Sequence, residues 1–158
     1  MADDLAACAA TLRRVHDASG YPVRWPDDPA GWLSPAGLMT AWVAEDDGVV
    51  VGHAGLVRGM RARCVLQATG RDASQLASVV RLFVDPAARR AGRARELLDT
   101  AAAHAVASGM QPVLDVVDDA SAAIALYERS GWRLVGRENA TWSAPSGVTP
   151  KLRYYVSP

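Results

Sequence analysis

Apolar residues recur at two spacings along this chain, and the alternation between them lays out its elements. Leu5, Cys8, Ala9, Leu12 and Val15 repeat at helical spacing, which predicts an amphipathic helix over residues 4–18. Asp3 or Asp4 is placed to cap its start and Gly20 to end it. Tyr21–Pro35 holds four prolines with Trp25 and Trp32 and reads as a loop or a short second helix. Two apolar runs, Thr40–Glu45 and Val49–Arg58, flank Asp46-Asp47-Gly48, a hairpin signal. Gly59–Ser74 is polar and predicts a longer connection. Leu76–Val84 is an apolar strand. Ala94, Leu97, Leu98, Ala101, Ala102 and Ala105 then share one helix face, with Gly109 as its natural stop. Pro112–Val117 reads as a buried strand, parallel to the one before it if the crossover is right-handed. Asp118 or Asp119 is placed to cap a helix that carries Tyr127 and ends at Gly131. Trp132–Trp142 and Leu152–Val156 are expected to close the sheet as an antiparallel pair around a turn-rich loop, Ser143–Pro150.

Composition narrows the class. At 158 residues the expectation is one domain, 1–158, with an ordinary core. Seventeen basic and seventeen acidic side chains balance, which argues against a general attraction to nucleic acid or to an anionic membrane. Cys8 and Cys64 lack metal-site spacing and read as free core thiols, so no metal is expected. No apolar run reaches the length of a membrane span, and no signal peptide is visible, so a cytoplasmic location is expected. A homodimer is left open.

The chemistry concentrates after the Leu76–Val84 strand. Asp85-Pro86-Ala87-Ala88-Arg89-Arg90-Ala91-Gly92-Arg93-Ala94 leads into a helix through a small, basic, glycine-containing loop. A helix start has N–H groups without helical partners and partial positive charge, so it accepts phosphate. Arg89, Arg90 and Arg93 add side-chain charge, and Gly92 lets an anion approach the backbone. Neither G-x-x-x-x-G-K-[ST] nor G-x-G-x-x-G occurs, which excludes the two best-known phosphate loops.

Arg89-x-x-Gly92-x-Ala94 resembles the pyrophosphate loop of the GNAT superfamily, the acetyl-CoA dependent N-acetyltransferases. A second block, Ala123-Ile124-Ala125-Leu126-Tyr127-Glu128-Arg129-Ser130-Gly131-Trp132, resembles that family's later motif, and the gap between the blocks holds one helix and one strand. The likeness covers Thr40 to Val156. The resemblance implies an α/β (α+β) fold: a mixed, mostly antiparallel sheet of about six strands, a central parallel pair splayed around CoA, and three to four flanking helices. The family's strand before the first helix is absent or very short here. Where the family often has Asn, four residues before Ile124, this chain has Ala120.

The resemblance also implies roles. The backbone of Leu82, Phe83 and Val84 would hold pantetheine as an added strand would. The Arg89, Arg90, Ala91, Gly92, Arg93 and Ala94 segment would hold the pyrophosphate. A backbone N–H near Leu82 would polarise the acetyl carbonyl, and Tyr127 would protonate the leaving thiolate. A phenol of pKa about 10 does this for a thiol of about 8.5 only when well positioned. The base is open: His53, Glu138, a water chain, or none. Tyr21, Arg24, Trp25 and Trp32 would wall a pocket for a small-molecule amine, with His16 beside them. Plainer readings stand next to these. The arginines fit a solvated helix start, Tyr127 fits a core position, His53 fits a hydrogen-bonded strand residue, and the tryptophan loop fits a lid over its own core. A non-catalytic acyl-CoA sensor is the alternative function. A peptide acceptor would need an open groove beside Tyr21–Trp32.

Overall fold

In a computed structural model that describes residues 2–89 and 91–158, the chain forms a six-stranded sheet with five α-helices. The elements are α1 (Ala2–Ser19), α2 (Pro29–Leu33), β1 (Leu38–Asp46), β2 (Val49–Arg58), α3 (Arg63–Thr69), β3 (Leu76–Val84), α4 (Arg93–Ala107), β4 (Gln111–Val117), α5 (Ser121–Arg129), β5 (Arg133–Asn139) and β6 (Lys151–Val156). The sheet order is β1-β2-β3-β4-β6-β5. Only β3 and β4 run parallel, joined over Leu76–Ser78 and Gln111–Val113. This is the mixed, mostly antiparallel sheet that the resemblance implied. Among the described residues no strand precedes α1. No helix among them is long and apolar enough to cross a membrane.

The chain divides into two compact units, Met1–Val57 with Val80–Ala101, and Arg58–Val79 with Ala102–Pro158. In the first, α1 buries Cys8, Leu12 and Val15 against Leu33, Val50 and Phe83, the face that the helical spacing predicts. Each such fully buried Leu or Val contributes roughly 1.5–3 kcal/mol. Thr11 ties the helix to the sheet through a 2.8 Å bond from its hydroxyl to the Val50 carbonyl. α1 already begins at Ala2, so Asp3 and Asp4 lie within it and do not cap it. β1 and β2 form an antiparallel hairpin whose two-residue turn, Asp47-Gly48, has positive φ at both positions, the pattern of a tight hairpin loop.

In the second unit β6 lies between β4 and β5 and pairs antiparallel with both. Val65, Leu76, Val113, Leu152, Tyr154 and Val156 form its core. Three expectations are corrected here. The Gly59–Ser74 connection contains α3, held by Val65, which is 0 % exposed, and closed by Gly70 in the left-handed region. The capping of α5 falls neither to Asp118 nor to Asp119: Ala120 occupies the cap position without a side-chain bond, and Asp118 pairs with Arg153 and Arg137. The strand expected over Trp132–Trp142 stops at Asn139, leaving Trp142 exposed in the following loop.

Candidate active site

β3 ends in a well-anchored turn. The Asp85 N–H donates to the Val51 carbonyl at 2.7 Å, and its carboxylate accepts from the Ala87 N–H and from Arg14 Nε at 2.6 Å. Burial pushes the Asp85 pKa up, but the Ala87 N–H and the Arg14 and Arg89 charges outweigh it and hold the carboxyl below its ordinary value. After the exposed Arg89, the loop reaches α4 through Ala91 and Gly92; Arg90 lies outside the described residues. Gly92 has φ +78°, and a Cβ built there would meet nothing within 4 Å. The first helical bond of α4 runs from Glu96 N to Gly92 O, so the N–H groups of Arg93, Ala94 and Arg95 precede it. Open space over a left-handed glycine and a helix start fit a pyrophosphate. The Arg93 side chain is engaged elsewhere, at 2.6 Å from Asp46 and 3.0 Å from Glu96, so the first turn can offer an anion its backbone but not this guanidinium. Gly52 on β2 makes room for this corner: a Cβ there would lie 3.0 Å from the Phe83 carbonyl and 3.1 Å from Leu97.

Upstream in the same strand, Arg81 has φ +54°. A long side chain in the left-handed region inside a strand is rare and needs support from its surroundings. His53 Nδ1 donates to the Arg81 carbonyl at 2.8 Å. Arg81 Nε donates to the Trp32 carbonyl at 3.1 Å, and its guanidinium lies 4.0 Å from the Trp32 ring centre. His53, 2 % exposed, stacks on Phe83 at 5.4 Å. Burial lowers its pKa below the usual 6.5; the carbonyl bond opposes this and the Arg81 charge adds to it. The imidazole is therefore neutral near pH 7, with its proton on Nδ1 and its lone pair on Nε2.

The aromatic loop packs on the α1 core. Tyr21 packs 6.0 Å from Trp32 and 6.4 Å from Phe83. Trp25 packs on His16 and under Arg13, and His16 bonds the Pro22 carbonyl. Tyr21, Trp25 and Trp32 all border the α1 core, whereas Arg24 is exposed. The structure thus gathers Tyr21, Trp32, His53, Arg81 and Phe83 into one group and leaves Trp25 on the α1 side. Arg81 is the residue that sequence reasoning passed over. Its only signal is a lone charge breaking the apolar run Val79-Val80-Arg81-Leu82-Phe83.

Tyr127 belongs to the second unit. It is 7 % exposed on α5, 5.8 Å from the Tyr155 ring and 6.4 Å from Trp132. Tyr155 Oη donates to Glu128, the next residue along α5, at 3.0 Å. Glu138 accepts the Cys64 N–H at 2.9 Å and so serves the first turn of α3. Among the described residues no three His, Cys, Asp or Glu side chains cluster as a metal site.

The sequence matches the acetyltransferase (GNAT) family over residues 7–132. No curated protein matches it. Among solved structures, the ribosomal-protein-S18-alanine N-acetyltransferase of Escherichia coli is similar at 19 % identity and TM-score 0.71, covering 100 % of this chain and 89 % of that one. An N-acetyltransferase of Staphylococcus aureus Mu50 is similar at 20 % identity and TM-score 0.71, covering 99 % and 93 %. Arabidopsis thaliana NAA60, solved with acetyl-CoA, is similar at 17 % identity and TM-score 0.69, covering 95 % and 92 %. With the family match spanning both units and the same fold in these structures, the chain belongs to the GNAT family of acetyltransferases, enzymes that take their acetyl group from acetyl-CoA.

Proposed function

We propose that residues 1–158 form a single acetyltransferase domain that moves acetyl from acetyl-CoA to the primary amine of a small molecule, by direct attack in a ternary complex. The observation that carries this reading is the corner where β3 passes through the Asp85 turn into α4 at the open, left-handed Gly92. The backbone of the Gly92–Ala94 start holds the pyrophosphate, with Arg89, Arg90 and Ala91 before it. Leu82, Phe83 and Val84 offer backbone groups to pantetheine. When bound, acetyl-CoA supplies a thioester already activated toward amines. The Leu82 N–H polarises its carbonyl, and Tyr127 gives its phenolic proton to the departing sulfur. The amine's own proton leaves to water. Tyr21, Arg24, Trp25 and Trp32 border the acceptor. A cytoplasmic location suits this chemistry, where acetyl-CoA is made and used.

A second reading takes a protein N-terminus as acceptor. It draws on the Escherichia coli neighbour, which acts on an alanine of ribosomal protein S18. One assay addresses both: incubate the protein with acetyl-CoA and a panel of small amines and short peptides, and follow the free CoA thiol. Turnover on small amines supports the first reading, turnover on peptides alone the second. Tyr127→Phe is expected to lower kcat by about 100-fold, the scale of a lost general acid, with CoA affinity kept. Tight CoA binding without turnover on any amine overturns both in favour of an acyl-CoA sensor.

A further inference from the structure

Five residues of the first unit, the strained Arg81 among them, close a ring of contacts. Arg81 bonds the Trp32 carbonyl and covers its ring; Trp32 meets Tyr21; Tyr21 meets Phe83; Phe83 stacks on His53; His53 bonds the Arg81 carbonyl. The members come from α2, β2, β3 and the loop after α1. The left-handed region is unfavourable for a non-glycine residue, so a β3 free of these contacts would return to an extended Arg81.

We propose that Trp32 and His53 are positioning residues that clamp the left-handed backbone of Arg81 and thereby aim the Leu82 N–H at the acetyl carbonyl. This rests on the reading of Leu82 as the carbonyl's donor. A left-handed residue within a strand rotates the next peptide plane out of the pleat, as a bulge does. The Leu82 N–H is then turned away from the direction a regular ladder gives it. A donor for developing charge is effective only when it is held before the reaction begins. The clamp supplies that hold at the carbonyl and at the side chain of Arg81. His53 fixes the Arg81 carbonyl, which shares its residue with the rotation, and Trp32 fixes the side chain, which prevents the φ angle from relaxing. The assignment gives His53 a use for its buried Nδ1–H that needs no transfer of a proton, and gives Trp32 a role other than wall of the acceptor pocket.

The test compares backbone-permissive with backbone-forbidding substitutions. Glycine adopts a positive φ freely, whereas a β-branched residue does not. Arg81→Gly is expected to keep kcat within about 10-fold, while Arg81→Val loses about 100-fold or more with KM for acetyl-CoA little changed, the scale of one lost carbonyl donor. His53→Asn, whose amide donates in place of Nδ1, keeps kcat within about 10-fold; His53→Leu loses several-fold more than that. Circular dichroism and CoA calorimetry on each variant establish that it is folded and loaded. The amide proton of Leu82 in ¹⁵N-labelled protein supplies a readout independent of turnover. Acetyl-CoA, but not CoA, should shift it in the wild type and in Arg81→Gly, and not in Arg81→Val. Arg81→Gly as impaired as Arg81→Val in kcat overturns the clamp, because the side chain would then act on substrate itself. His53→Asn as impaired as His53→Leu, with the acid limb of the pH profile gone, overturns it in favour of a base. A wild type that shows the Leu82 shift yet acetylates no amine keeps the clamp and removes the acetyl-transfer reading. A Leu82 resonance equally responsive in Arg81→Val removes the clamp alone.

Discussion

Among the described residues, two that are not glycine hold a positive φ, Asp47 at 49° and Arg81 at 54°, and they hold it for different reasons. Asp47 is exposed at the tip of the β1–β2 turn and is followed by Gly48 at 78°. A two-residue hairpin loop needs this backbone to match strand twist, and Asp tolerates it better than most residues. The cause is local and serves topology. Arg81 lies inside β3, where the chain does not reverse, and its own side chain has no preference for the left-handed state. Contacts from α2 and β2 hold it there. The same backbone state is thus dictated by three neighbours in sequence at one place and by residues 28 and 49 positions away at the other. The first kind of strain marks a turn, the second marks a place where the fold supports a geometry for another use.

A third left-handed position, Gly92, extends the comparison and carries the largest expected effect. Its φ of +78° opens α4, and among the described residues nothing lies within 4 Å of a Cβ built there. If that space receives a pyrophosphate, charge and bulk there matter more than backbone strain. Gly92→Glu is expected to weaken CoA binding by about 100-fold or more in calorimetry, the scale of several kcal/mol set by a like charge at a bound anion. Gly92→Asn, which tolerates the same φ, should bind within a few-fold of the wild type. Equal losses in both variants would assign the effect to the helix start alone, and unchanged affinity in Gly92→Glu would remove the phosphate site.

The clamp on Arg81 contains a titratable group, whereas the Asp47-Gly48 turn depends on none, and this separates them by pH. His53 has a folded pKa below its usual 6.5, chiefly from burial. As pH falls through 6.5 the unfolded chain takes up a proton that the folded chain still refuses, so stability declines with acid until the folded pKa is reached. The slope approaches ~1.4 kcal/mol per pH unit for one such group. Asp85 and Asp118, held below the ordinary carboxylate value, lose their contributions only under about pH 4. Urea unfolding at pH 7 and pH 5 should therefore show a loss in the wild type that shrinks in His53→Asn. The same loss in both would mean that His53 does not cause it.

Most of the fold was legible because its causes are local. β3 was readable to both ends, since an apolar run interrupted only by Ser78 and Arg81 stops at Asp85-Pro86. The hairpin, α4 and the crossover to β4 followed from the same kind of signal. α3 was not readable. Its cap position is Ala62, its first turn is satisfied by Glu138, 74 residues later, and of its side chains only Val65 is fully buried. Asp118 misled for the opposite reason: a good local cap was drawn away by Arg153 and Arg137 on neighbouring strands. In the site, the Gly92 corner could be read from its glycine and its place after an apolar strand. The bend at Arg81 could not, because no residue near it in sequence asks for a positive φ. The pairing of Arg93 with Asp46 was hidden likewise, since Asp46 lies on the β1–β2 hairpin, 47 residues earlier.

The smallest effects belong to the turn, and they complete the contrast. Asp47→Gly relieves the left-handed strain but adds freedom to the unfolded chain; the two terms are each about 1 kcal/mol and nearly cancel. Its stability should stay within about 0.5 kcal/mol of the wild type, with kcat unchanged. Asp47→Val places a β-branched residue at φ 49° and should cost about 1–2 kcal/mol in urea unfolding, again with kcat unchanged per folded molecule. Asp46, which pairs with Arg93, is untouched by either change. Valine at 47 therefore damages stability and leaves the chemistry, while valine at 81 damages the chemistry. Should Asp47→Val lower kcat as far as Arg81→Val does, a positive φ in a strand would carry no more functional weight than one in a turn.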